Sequence, residues 1–237
     1  MSLPEIKKDI KYITTKVPSG KSIGVRGWKV KDEKELLFAL EVEEDFDNNK
    51  INHIITMIRG CTDDVGKFDT LSESDVLKAA VEVRKLAKGD TIEYNYECPH
   101  CANKFFDEVN LTKGLTTKDF DPKPLNINDQ LIVTFKDLDW KSVAKIYEEV
   151  DSSAKFAFKQ IMHSIDSMTI EGNTYTEFTP AEVEARIDEL SSDELKIIYK
   201  GFEERQSSCV LSRSIKCIKC KKDIDVNFGE MLSFLVL

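Results

Sequence analysis

A chain of 237 residues, 41% hydrophobic and 32% charged, has an ordinary globular composition and is long enough for one large domain or two small ones. Its formal net charge of −9 repels phosphate backbones and argues against a general nucleic-acid binder. No stretch approaches the ~20 apolar residues that span a bilayer, and the first residues hold no apolar signal core, so an intracellular protein without a membrane partner is expected.

Residues 10–30 read as a hairpin. Ile10, Tyr12 and Thr14 alternate, Pro18-Ser19-Gly20-Lys21 supplies the turn, and Ile23, Val25 and Trp28 to Val30 return. Asp32, with Glu35 three residues on, has the form of a capping box, and Leu36, Leu37, Phe38 and Leu40 give the next helix its apolar stripe. The acidic stretch 41–49 reads as a solvated face or a loop. Ile51, Ile54, Ile55 and Ile58 recur at helical spacing up to Gly60. Ser72-Glu73-Ser74-Asp75 opens a further helix, with Val76, Leu77, Ala80, Val83 and Leu86 on its apolar side and Gly89 as its stop.

That helix leads into strand-like 90–97, the pair Cys98-Pro99-His100-Cys101, and a second strand-like run at Glu108-Val109-Asn110-Leu111. The same order recurs near the far end: 212–216, Cys217-Ile218-Lys219-Cys220, then Asp225-Val226-Asn227-Phe228. Each is a hairpin with a C-x-x-C at its tip. A two-residue gap lets both sulfurs turn toward one point, and Cys98, Cys101, Cys217 and Cys220 together supply the four thiolates of a tetrahedral zinc site. The usual ribbon has roughly 15–20 residues between its pairs; here 115 residues separate Cys101 from Cys217, so the ribbon is split by an insertion. A redox pair would open a helix in a βαβ unit, whereas strands flank both pairs here. Six cysteines, four of them paired in sequence, suit a reducing compartment and a metal rather than a disulfide framework. Cys61 and Cys209 read as small buried apolar residues.

The insertion, 119–208, is entered at Asp121-Pro122-Lys123-Pro124. Within it, 131–135 reads as a strand, 140–150 and 154–164 as helices, and 167–176 as a hairpin turning at Gly172-Asn173. Thr179-Pro180 starts a helix with cap followed by proline, striped by Val183, Ile187 and Leu190. Ser192 begins the next, with Leu195, Ile198, Tyr199 and Phe202. Residues 228–237 read as a final apolar helix or strand. The expected class is α+β: 1–118 with 209–237 forms a hairpin-and-helix base that carries a split zinc ribbon, and 119–208 is an inserted, mainly helical α+β subdomain.

Nothing points to catalysis. His53, His100 and His163 are far apart in sequence, and His100, inside the first pair, reads as an exposed turn residue. Phosphate-loop, dinucleotide, nucleophile-elbow and zinc-protease motifs are absent. Paired acids such as Glu43-Glu44, Glu148-Glu149 and Glu203-Glu204 sit among polar residues as solvated faces. Four thiolates would close the zinc, leaving no position for a reacting water.

The run from Ser72 through Arg84 to Gly89-Asp90, followed by 94–111 with Cys98-Pro99-His100-Cys101 and then acidic-Val-Asn-Leu, resembles the baseplate hub assembly proteins of T-even-type contractile-tailed bacteriophages. The Pro18-Ser19-Gly20 hairpin and the second cysteine pair are compatible with it; 119–208 adds little. The resemblance implies a non-enzymatic role in the host cytoplasm during assembly, either as a hub component that stays in the virion tail or as an assembly chaperone. Its partners would be other hub and tail proteins, with no small-molecule substrate. The alternative is a zinc-ribbon transcription or nucleic-acid-binding factor touching phosphate through Arg213, Lys216, Lys219, Lys221 and Lys222. Stacking aromatics are not interleaved with those bases.

Overall fold

The computed structural model of the chain describes residues 10–41, 48–227 and 235. Strands β1 (Ile13–Lys16) and β2 (Ser22–Val25) pair antiparallel with Ile13 opposite Val25. Gly20, at φ +85°, supplies the left-handed residue their turn needs. Helix α1 (Val30–Glu41) begins two residues before the expected cap. The Lys29 carbonyl accepts the N–H groups of Asp32 and Glu33, so Lys29 is the cap. Asp32 instead turns inward to a buried ion pair with Arg26 at 2.8 Å and accepts the Lys29 N–H at 2.8 Å. Of the expected stripe, Leu36 is buried, whereas Leu37 and Phe38 are exposed; the side chain of Leu40 lies outside the description.

Helix α2 (Asn48–Gly60) packs on α1 and buries Ile54, Ile55 and Ile58, as their spacing predicts. Most of the acidic stretch 41–49 lies outside the described residues. A single turn, α3 (Val65–Phe68), precedes α4 (Glu73–Lys88). Ser72 and Asp75 close a capping box at the start of α4, and Gly89 ends it at φ +93°. Strands β3 (Thr91–Glu97) and β4 (Lys104–Asn110) form the first cysteine hairpin, in register from Thr91↔Asn110 to Glu97↔Lys104. A turn, α5 (Leu111–Gly114), then leads to β5 (Leu115–Lys118), a strand that sequence patterning did not predict.

Between the hairpins come β6 (Leu125–Asn126), β7 (Leu131–Phe135), α6 (Trp140–Glu148), α7 (Ser153–Ser164), β8 (Ile165–Ile170), β9 (Asn173–Tyr175), α8 (Pro180–Ile187) and α9 (Ser192–Arg205). The helices start at their polar caps: Asp139, Ser152, Thr179 and Ser191 each accept an N–H of the first turn. This stretch is helical, as expected, and also holds a four-stranded antiparallel sheet in the order β6-β7-β8-β9. The β8–β9 turn falls on Glu171-Gly172, both at positive φ, one residue before the expected place. Strand β10 (Ser208–Lys216) starts earlier than the expected 212, because its first half pairs with β5 and its second half with β11 (Asp223–Asn227). Of the apolar stretch 228–237 only Leu235 is described, and it is buried.

Two large buried clusters result. One joins β1–β2, α1, α2, α4 and both cysteine hairpins through Ile23, Ile58, Val83, Ile92, Leu211 and Ile224. The other, Ile127 to Phe202, lies entirely between the hairpins. They meet at a polar junction. The Asp75 carboxylate, fully buried, accepts the Ser19 N–H at 2.8 Å and the Ser72 N–H at 3.2 Å. Trp140 N–H donates to the Leu71 carbonyl at 2.8 Å, and Ser72 bridges to Asp139. The Ser207 hydroxyl donates to Asp137 and touches the Ser74 hydroxyl. Burial, with Asp75 nearby, pushes the Asp137 carboxyl above its ordinary value.

Candidate metal centre

The two C-x-x-C tips have the same backbone. Cys98 N–H donates to the Asn103 carbonyl at 3.0 Å, and Ala102 N–H to the Cys98 carbonyl at 2.8 Å. In the second tip, Cys217 N–H donates to the Lys222 carbonyl at 3.0 Å and Lys221 N–H to the Cys217 carbonyl at 2.9 Å. Each bond closes the turn so that both sulfurs point off one side of the hairpin. The residue after the second cysteine must then be left-handed: Ala102 has φ +52° and Lys221 φ +61°. Neither is glycine, which is why sequence gave no sign of this strain.

Strand β10 brings the tips face to face. The sulfurs of Cys98, Cys101, Cys217 and Cys220 all lie within 4.8 Å of one another. Cys98 Sγ is 3.6 Å from Cys220 Sγ, and Cys101 Sγ is 3.7 Å from Cys217 Sγ. A metal–sulfur distance of about 2.3 Å requires tetrahedral sulfur–sulfur edges of about 3.8 Å, so the four positions fit a single thiolate-bound ion. Cys98 and Cys217 are buried in the larger cluster, and Cys101 and Cys220 are half-buried against it. Among the described residues, no other group of three or more His, Cys, Asp or Glu comes this close together.

The sulfurs differ in acidity. The Cys220 N–H donates to Cys217 Sγ at 3.5 Å, and this bond, with that of Lys219, draws the Cys217 thiol down to about 6 despite its desolvation. For Cys101, an N–H of Asn103 pulls downward, but desolvation and the neighbouring sulfurs prevail and hold it at about 11. Several thiols crowded at one point thus resist joint ionisation, and a cation there would relieve the repulsion. Cys61 and Cys209 are buried elsewhere; desolvation pushes each to about 12, which makes them inert apolar fillers as expected.

The histidines stay apart from the cluster. His100 is exposed at the first tip; His53 pairs with Glu35 at 2.8 Å; His163 is half-buried, and desolvation lowers its pKa. Glu148-Glu149 and Glu203-Glu204 face solvent. An open groove of about 630 Å³ runs between the hairpins beside Glu108, Asn110, Lys113 and Ser214. Arg213 crosses it to reach Asp107 at 3.2 Å and the Glu108 carbonyl, bracing one hairpin on the other. Among the described residues no helix is long and apolar enough to cross a membrane.

No curated protein and no solved structure matches the chain. Residues 9–236 match the family described as T4 bacteriophage base plate protein.

Proposed function

Since the chain belongs to the T4 bacteriophage base plate protein family, we propose that it is a non-enzymatic hub component or hub-assembly chaperone, given its rigid form by one structural zinc at Cys98, Cys101, Cys217 and Cys220. The observation that carries the reading is the meeting of four sulfurs from hairpins 115 residues apart. Zinc suits an all-thiolate tetrahedron, and with every position filled by sulfur it has no place for a substrate or an attacking water. The pair of knuckles is then a zinc ribbon split by residues 119–208, which we read as an inserted subdomain held at a fixed angle to the base. Such a protein would be made in the host cytoplasm and sit in the virion tail, contacting other baseplate proteins.

Elemental analysis of protein purified with adequate zinc should give one zinc per chain, lost in the Cys98→Ser/Cys217→Ser double variant. Co-expression with the neighbouring hub proteins should give a stable complex with the wild-type chain. Metal-free wild type would sink the zinc reading, and failure to join any hub or tail protein would sink the assembly role.

A further inference from the structure

The two knuckles share a backbone but not a surface. The first holds its pair of sulfurs with Pro99, His100, Ala102 and Asn103 around them, so metal holding by itself needs no lysine. The second places exposed Lys219, Lys221 and Lys222 around Ile218, whose side chain is 63% exposed. Those three lysines have no carboxylate partner among the described residues, and Lys216 has only Asp223, at 4.0 Å. Lys221 occupies a left-handed position where glycine would be free of strain.

The matching charge lies in the same chain. Residues 119–208 contain nineteen acidic and ten basic residues, so this stretch carries the whole net charge of −9 while the rest is balanced. On the outer side of α8, Ala181, Glu184, Ala185 and Asp188 are all exposed, at spacings that set two alanines beside two carboxylates. Neither Glu184 nor Asp188 has an ion-pair partner among the described residues. An isoleucine ringed by lysines matches an alanine strip edged with carboxylates in apolar character and in charge.

We propose that the tip of the second knuckle, Ile218 with Lys219 and Lys221, docks on the outer face of α8 in a second copy of this chain. The contact joins different patches on the two copies, so two of them close a reciprocal pair or a ring, and an operator that does not close extends them into a filament. It rests on the zinc reading only in that the metal holds the tip stiff.

Sedimentation of the full-length, zinc-loaded chain tests this. Association should rise with concentration at about 0.05 M salt and weaken by about tenfold at about 0.5 M, since exposed charges are screened. Lys219→Glu/Lys221→Glu and Glu184→Lys/Asp188→Lys variants should each remain monomeric, and mixing the two should restore association, because each reversed patch then meets its complement. Circular dichroism and zinc content, unchanged in both variants, would show that folding is intact. A monomeric wild type, or a mixture that stays monomeric, overturns the proposal. So does a tip variant that associates normally but loses affinity for a duplex oligonucleotide, which would assign the lysines to phosphate. Zinc analysis of the same samples separates the two ideas: association without zinc sinks the metal reading alone, and zinc without association sinks the docking alone.

Discussion

Two fastenings hold this chain together, and they work by different physics. The four-sulfur cluster joins a hairpin from the middle of the sequence to one near its far end at one point, and an ion there would set its strength. The junction around Asp75 joins the β1–β2 turn, the start of α4 and the stretch between the hairpins through several ordinary hydrogen bonds. The first should fail all at once, on chelation or acid. The second should weaken by increments, one partner at a time.

The largest effect separates them. Apparent energies of structural zinc in small peptides reach about 10–16 kcal/mol near pH 7, so Cys98→Ser or excess chelator should remove several kcal/mol and lower the melting temperature sharply. Calorimetry would check this, and an unchanged melt would rule out the clamp. Acid should act in the same direction. The folded Cys217 thiol lies below its ordinary value of 9.0, so its contribution is complete above that pH and lost as pH falls through about 6. Metal release measured with a chromogenic chelator should rise as pH falls, because protons compete with the ion for the thiolates.

At the junction, Asp75→Ala leaves the Ser19 and Ser72 N–H groups without their acceptor. At about 1–3 kcal/mol for each unsatisfied buried donor, and the lower end of that for the half-buried Ser19, the expected loss is about 2–4 kcal/mol in urea denaturation, with zinc content unchanged. Zinc lost along with stability would mean that the two fastenings are one unit. Smaller is the gain from Ala102→Gly, which relieves a left-handed alanine and should stabilise by about 1 kcal/mol. Smallest is Asp137→Asn. Because the folded Asp137 carboxyl titrates above its ordinary value, folding takes up a proton and stability declines as pH rises from about 3.9 toward that raised value. The asparagine variant should lose that slope, which urea midpoints at two acidic pH values would detect.

The same contrast explains what could be read from the sequence. The four cysteines of the cluster were visible because C-x-x-C between strand-like runs is a dense local signal. The starts of α4 and α8 were visible because Ser72-Glu73-Ser74-Asp75, and Thr179-Pro180, spell their caps. Strand β5 was not, since three of its four residues, Thr116, Thr117 and Lys118, are polar and exposed and its partner lies far along the chain. Asp32 misled because a carboxylate near a helix start looks like a cap, and only the fold brings Arg26 against it. The junction left no trace in the sequence: Asp75 looked like one more residue of a helix start, while Ser19, Asp137 and Ser207 meet it only in three dimensions.

Strand β10 spends its first four residues on β5 and its last five on β11. Side chains alternate sides along a strand, so sliding β10 by one residue would turn Leu211 and Ile215 out of the interior and misplace Cys217 as well. Misregistration in one half is thus felt in the other. The strand acts as a ruler: a folding chain cannot bring its sulfurs together until its edge pairing is correct, and an ion captured there would lock in only the properly aligned form.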